Sequence, residues 1–279
     1  MIHNISHINS FDNTNLFVQS WRPQSEAKAV IVLVHGIGEH SSRYYDWASR
    51  FTNIGYAVIA FDQRGHGLSS GKRGVISSYD GFMKDIDLIL VEAASIFSDI
   101  PAFLYGHSMG GGEVLNHLLR KNSNYIGVIS TSPWIITQAA PPKFVIPLVR
   151  VLSKFLPKVC IETKFDTTML SHDKEVARRY NEDDLVHHKV SFRLFESAYD
   201  AGYQVLNSKQ KIKKPLLLLH GDEDEITNYK ASQYFAAKNE ENCTFKLWTE
   251  GYHELHNENF KEEVFDFICD WMNDILNKK

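Results

Sequence analysis

The sequence predicts an α/β fold built on a mainly parallel sheet with helices on both faces. Short, continuously apolar runs recur along the chain, among them Ala29-Val-Ile-Val-Leu-Val34, Ala57-Val-Ile-Ala-Phe61 and Pro215-Leu-Leu-Leu-Leu219. A strand covered on both faces has no solvent side, so it reads as an unbroken apolar run. Segments with helical spacing lie between these runs, and strands alternating with helices build parallel sheets. With 279 residues, 43% of them hydrophobic, the chain can form one large domain or a domain with an insertion.

Taken in order, Asn15-Leu-Phe-Val-Gln-Ser-Trp21 alternates and predicts an early antiparallel strand. Ala29–Val34 and Ala57–Phe61 are buried strands, joined by a crossover helix within 44–53. A helix follows around 81–97. Pro101-Ala-Phe-Leu-Tyr105 is a strand, Gly111–Arg120 a helix, and Ile126-Gly-Val-Ile-Ser130 another strand. Pro215–Leu219 and Thr244-Phe-Lys-Leu-Trp248 are the late strands, and a helix over 261–276 closes the chain. Residues 134–206 break the rhythm. They hold helical and irregular sequence without a buried strand, introduced by Pro133, Pro141, Pro142 and Pro147. This stretch reads as a cap inserted into a core made of 1–133 and 207–279. Within it Val145, Leu148, Val149, Leu152, Phe155 and Leu156 recur at spacings of three and four, with Phe144, Ile146 and Val151 adding apolar residues outside that stripe. Two readings stay open: a helix packed on the core, or a lid whose surplus apolar surface faces lipid.

The net charge is −4 with no basic block, so a nucleic-acid partner is not expected. The N-terminal residues lack the pattern of a secretory signal, and no apolar run approaches the roughly 18 residues of a membrane span. Three scattered cysteines, Cys160, Cys243 and Cys269, form no disulfide framework or metal spacing. A cytoplasmic setting, or a peripheral one at membranes, fits these features.

The chemistry centres on Gly106-His-Ser-Met-Gly110, which reads G-x-S-x-G with a strand before it and a helix after it. This context makes it the nucleophile elbow of an α/β-hydrolase, with Ser108 at the tip of a strained turn. A serine hydroxyl needs a neighbouring base. In this fold the chain order is Ser, then acid, then His. The loop His220-Gly-Asp-Glu-Asp-Glu-Ile226 offers Asp222, Glu223, Asp224 and Glu225. Asp224 leaves room for the loop to turn back over the sheet, and Asp222 is the alternative. After the last strand, Thr249-Glu-Gly-Tyr-His-Glu-Leu-His256 places His253 first past a glycine turn, so His253 is the expected base. His253 and His256 are spaced H-x-x-H without a third ligand, which argues against a metal site. The oxyanion needs two N–H donors, expected from Met109, after the nucleophile, and Ile37, in the loop His35-Gly-Ile-Gly-Glu-His40. His35 and His40 read as structural, and Arg64 as a member of a buried ion pair or hydrogen-bond network.

Together, His35-Gly-Ile-Gly-Glu-His-Ser-Ser-Arg-Tyr44, Phe61-Asp-Gln-Arg-Gly-His-Gly-Leu-Ser69, Gly106-His-Ser-Met-Gly-Gly111 and Gly251-Tyr-His-Glu-Leu-His256 resemble the monoglyceride lipase and lysophospholipase family, in the serine aminopeptidase S33-like group. The likeness extends over nearly the whole chain. It implies an eight-stranded, mostly parallel α/β-hydrolase sheet with a helical cap. The implied enzyme is a serine hydrolase that cleaves one acyl ester of a monoacylglycerol, a small lipid substrate, without a cofactor. A lysophospholipase or broad carboxylesterase is the alternative. The resemblance supports Ser108, Asp224 and His253 as triad and Ile37 and Met109 as oxyanion donors. It places Glu39, Arg43 and His256 where the family binds the head group. On the lid reading of the apolar cap residues, transient contact of the cap with a membrane surface is expected. Where mammalian members carry a cysteine after the triad acid, this chain has Thr227.

Overall fold

The computed structural model describes residues 1–163 and 165–278. The strands are β1 (Ile2–Asn9), β2 (Asn15–Arg22), β3 (Ala29–Val34), β4 (Tyr56–Phe61), β5 (Ala102–His107), β6 (Gly127–Thr131), β7 (Cys160–Glu162), β8 (Lys189–Ser191), β9 (Leu216–Gly221) and β10 (Cys243–Trp248). The helices are α1 (Tyr45–Asn53), α2 (Tyr79–Ile96), α3 (Met109–Arg120), α4 (Val145–Phe155), α5 (Lys174–Glu182), α6 (Phe192–Asn207), α7 (Tyr229–Lys238) and α8 (Lys261–Asn277).

Eight strands form one sheet in the order β1-β2-β4-β3-β5-β6-β9-β10. From β4 to β10 every pairing is parallel, while β1–β2 and β2–β4 are antiparallel. The unbroken apolar runs are explained by β3. Val30, Val32 and Val34 point into a core layer shared with α2, α3, α6 and α7, whereas Ala29, Ile31 and Leu33 point into a second layer shared with α1 and α8. Each fully buried aliphatic side chain contributes about 1.5–3 kcal/mol, so both layers stabilise the central strands.

The chain departs from the sequence expectation at three places, one being α7, where no helix was expected. β1 was not foreseen, because its polar residues stay mostly exposed at the sheet edge and show no apolar period. Between β6 and β9 the chain leaves the main sheet, yet it also forms a small antiparallel pair, β7–β8. Three-residue strands are too short to display a period. In the same stretch α6 packs on α3 and α4. The stripe read on α4 divides: Val149 is buried, while Phe144, Leu148, Val151 and Phe155 are exposed. One face of α4 thus packs against the protein, and the other is open.

Strand order runs outward in both directions from β3, whose neighbours β4 and β5 follow it in sequence. Open α/β sheets bind ligands beyond the carboxyl ends of strands at such a reversal. The loops after β3, β5, β9 and β10 meet there.

Candidate active site

The elbow is held by backbone sterics. Ser108 has φ 55° and ψ −118°, a conformation that costs energy for a non-glycine residue. A Cβ on Gly106 would lie 2.2 Å from the Gly110 carbonyl oxygen, and one on Gly110 would lie 2.3 Å from the Val34 oxygen. Both positions therefore require glycine if α3 is to pass this close to β3 and β5. The Ser108 amide donates to Thr131 O at 3.0 Å, and the Ser108 carbonyl accepts from Gly112 N (3.0 Å) and Trp134 N (2.8 Å). Met109, which follows, is the first residue of α3.

Asp224 and His253 reach Ser108 from the loops after β9 and β10. His253 Nε2 lies 2.9 Å from Ser108 Oγ, and His253 Nδ1 lies 2.8 Å from Asp224 Oδ2. With Nδ1 donating to the carboxylate, Nε2 is left to accept the serine proton. Asp224 Oδ1 accepts the amides of Ile226 (2.8 Å) and Thr227 (2.9 Å), which fixes the acid's orientation. Burial alone would raise the Asp224 carboxyl, but the adjacent His253 and the hydrogen bonds from His220 and His253 hold it well below the usual carboxylate range. Burial disfavours charge on His253, and the facing Asp224 carboxylate outweighs it, so its pKa rises above the ordinary histidine value. Asp222, the alternative acid, makes none of these contacts; its amide donates to Trp248 O in the turn.

The loop after β3 passes over the serine. A Cβ on Gly36 would lie 3.0 Å from Ser108 Cβ. Among the described residues, neither the Ile37 nor the Met109 amide is hydrogen-bonded, and Ile37 borders the cavity above Ser108. The loop is pinned by Glu39. Its Oε1 accepts from Gly36 N at 2.6 Å and Tyr44 Oη at 2.8 Å, and its Oε2 accepts from Arg43 Nη1 at 2.6 Å. Arg43 also clasps Glu254 in a two-pronged bond, 2.9 and 3.0 Å. Burial raises the Glu254 carboxyl, but Arg43 overrides it and brings it down to about 2. This ion triad was not readable in sequence, because Arg43 and Glu254 are 211 positions apart.

Ser108 opens into a cavity of about 210 Å³. Trp134, Phe165, Leu170, Val190, Phe195 and Ile226 make its apolar lining, and Glu39, Arg43 and Glu254 its charged wall. His256 does not border this cavity. It stacks on Tyr44 (ring centroids 5.0 Å) beside His107 (4.9 Å) and faces a separate polar cleft, with Arg43 bordering both spaces. His35 bonds Gly36 O and Gln63 N, and His40 pairs with Asp183 at 2.8 Å; neither reaches Ser108 Oγ. Arg64 sits in a buried pair with Asp85.

The fold and this arrangement define a serine hydrolase of the α/β-hydrolase class. Residues 25–259 match the family model described as serine aminopeptidase, S33, and the chain belongs to that family. It is similar over 275 residues to an abhydrolase domain-containing protein of Dictyostelium discoideum, at 37% identity. That match covers 98% of this chain but 29% of the relative, so the chain spans only a part of that protein. It is 30% identical to a monoacylglycerol lipase of Mycolicibacterium smegmatis, covering 90% of each chain. The crystal structure of Paleococcus ferrophilus monoacylglycerol lipase superposes with a TM-score of 0.85 at 31% identity, covering 95% of this chain and 99% of that one. The resemblance to monoglyceride lipases carried by the sequence motifs agrees with these matches.

Proposed function

We propose that this chain hydrolyses the acyl ester of monoacylglycerols, releasing fatty acid and glycerol. The observation that carries this reading is the Ser108–His253–Asp224 relay at the floor of an apolar cavity. The named activity of the M. smegmatis and P. ferrophilus relatives supports it. His253 takes the Ser108 proton as the serine attacks the ester carbonyl, and Asp224 stabilises the charged imidazole. The developing oxyanion lies between the Ile37 and Met109 amides, each such donor being worth about 100- to 1000-fold in rate. His253 then protonates the leaving glycerol, and water hydrolyses the acyl-enzyme by the same relay. No step calls for a metal or cofactor.

The charged wall favours a neutral head group over a phosphate. Arg43 is the only Lys or Arg lining the cavity among the described residues, and Glu39 and Glu254 already occupy it. A phosphodiester would meet two carboxylates and no free cation. Residues 134–206 serve as a cap over the core of 1–133 and 207–279, and α4 rests its exposed face on lipid. Phe144, Leu148, Val151 and Phe155 share that face, flanked by the exposed cations Lys143, Arg150 and Lys154. No helix among the described residues is long and apolar enough to cross a membrane, so the contact is superficial.

The test is a rate comparison of monoacylglycerol, lysophosphatidylcholine and a short-chain nitrophenyl ester, with Ser108→Ala alongside. Monoacylglycerol is expected to be fastest, and Ser108→Ala to lose both turnover and fluorophosphonate labelling. Retained turnover in a folded Ser108→Ala protein would overturn the mechanism. A preference for the lysophospholipid or the short ester would overturn the substrate assignment.

A further inference from the structure

The oxygen of Asp224 that faces His253 also holds a second imidazole. His220, the penultimate residue of β9, is fully buried, and its Nε2 lies 3.1 Å from Asp224 Oδ2. The same nitrogen lies 3.3 Å from the Thr227 carbonyl oxygen. A carboxylate and a carbonyl only accept hydrogen bonds, so Nε2 must carry the proton. Nδ1 is bonded to Ser232 Oγ, a hydroxyl that can donate or accept, 2.8 Å away. The ring is thus held at both ends, with its Nε2–H turned to Asp224. Thr227 Oγ1, 2.8 Å from Oδ2, adds a hydroxyl whose one proton is shared with the Ser132 carbonyl oxygen.

We propose that His220 is a positioning residue of the hydrolytic site: its Nε2–H shares Asp224 Oδ2 with His253 and so sets how tightly the acid holds the base. This rests on the reading of Ser108, His253 and Asp224 given above. A carboxylate spreads its charge over the donors it accepts. Removing the His220 donor concentrates that charge on His253 and favours the imidazolium. The base would then become free only at higher pH, and catalysis below that pH would be lost.

The other groups facing the pair come from every neighbouring loop. His107 ends β5, its ring 4.8 Å from that of His253. Glu39 and Arg43 lie in and beyond the loop after β3. Glu254 and His256 share the loop of His253; in the loop of Asp224, Glu223 and Glu225 are exposed and border a different cleft. All of these remain in place when His220 is replaced, so a change in pH profile between variants reports on His220.

The experiment measures kcat/KM against pH on a water-soluble acyl ester, together with the pH dependence of fluorophosphonate labelling. Wild type, His220→Leu and His220→Gln are compared. His220→Leu is expected to move the acid limb upward by about half to one pH unit, while His220→Gln, whose amide still donates, restores it. A folded His220→Leu enzyme with an unmoved or lowered limb would overturn the proposal. Should the leucine variant not fold, imidazole 15N NMR of the wild-type protein decides. His220 is expected to keep its proton on Nε2 throughout the range in which His253 titrates; an unprotonated Nε2 would overturn the proposal. The tautomer readout needs no substrate, so failure of the functional reading would be seen separately, as a wild-type Ser108 that does not label.

Discussion

The backbone N–H of His187 donates to the carbonyl of Gly38 at 2.8 Å. This bond joins the segment between α5 and β8 to the loop that carries the Ile37 amide. Asp183 reinforces it through His40, and the Tyr180 ring lies over the Arg43 guanidinium at 4.7 Å. The same stretch of chain grips the His253 loop, where Glu254 N donates to Leu170 O at 2.7 Å. The loops on both sides of the cavity thus lean on residues 170–187.

Gly38 has φ +77°, and a Cβ there would lie 2.4 Å from the His187 carbonyl oxygen. Gly38→Ala must therefore displace the loop, the 187 segment or both. With the Ile37 amide moved off line, kcat is expected to fall by about 10- to 1000-fold while KM changes little. Steady-state kinetics on a soluble ester checks this; an unchanged kcat would show that the loop does not hold an oxyanion donor.

Arg43 is buried between Glu39 and Glu254. Arg43→Met leaves two largely buried carboxylates without their counter-charge, which is expected to cost about 3–5 kcal/mol of stability. Urea unfolding measures this. Replacing Glu254 by Met in the same chain should recover part of the loss, since one of the stranded charges is then gone. Simple additivity of the two substitutions would contradict the coupling.

Glu113 on α3 is fully buried, and neither carboxylate oxygen has a hydrogen-bond partner among the described residues. Burial, reinforced by the nearby Asp85, raises its pKa well above the ordinary value. The folded chain therefore favours the neutral acid. Its contribution is intact below the unfolded pKa of about 4.3 and is lost as pH rises toward the folded value, at about 1.4 kcal/mol per pH unit. Glu113→Gln should remove that slope. Relative to wild type it gains stability as pH rises above about 5 in urea unfolding; equal slopes in the two proteins would refute the assignment.

Phe144, which precedes α4, is 71% exposed, and Phe155 at its end is 72% exposed. Replacing both by Ser removes apolar surface that is mostly exposed, so the melting temperature should hold. Binding to vesicles containing monoacylglycerol, read by co-sedimentation, should weaken about tenfold or more, because each buried methylene contributes about 0.8 kcal/mol. Hydrolysis of a soluble ester should be unaffected. Unchanged vesicle binding would remove α4 from the docking surface.

Much of this molecule was legible in short stretches of sequence. The apolar runs of β3, β4, β5 and β9 showed the covered sheet, and the strand-glycine-serine-glycine-helix order placed Ser108 on its turn. Chain order and distance from a strand end singled out Asp224 and His253, the residues that the structure brings to Ser108. The polar edge strand β1 and the three-residue β7 and β8 carried no such signal.

What the sequence determined by itself is local. Side-chain periodicity distinguishes a strand covered on both faces from a helix, and steric strain confines small residues to the elbow. Both act within a few residues. Only the tertiary structure decided which polar groups become partners. It set His220 beside His253 on one oxygen of Asp224, closed Glu39, Arg43 and Glu254 into a buried ion triad, and turned His256 away from the cavity. These pairings need loops from opposite ends of the chain to meet after the sheet has formed. Their energies depend on the burial and geometry of that meeting, and the order of the residues does not encode either directly.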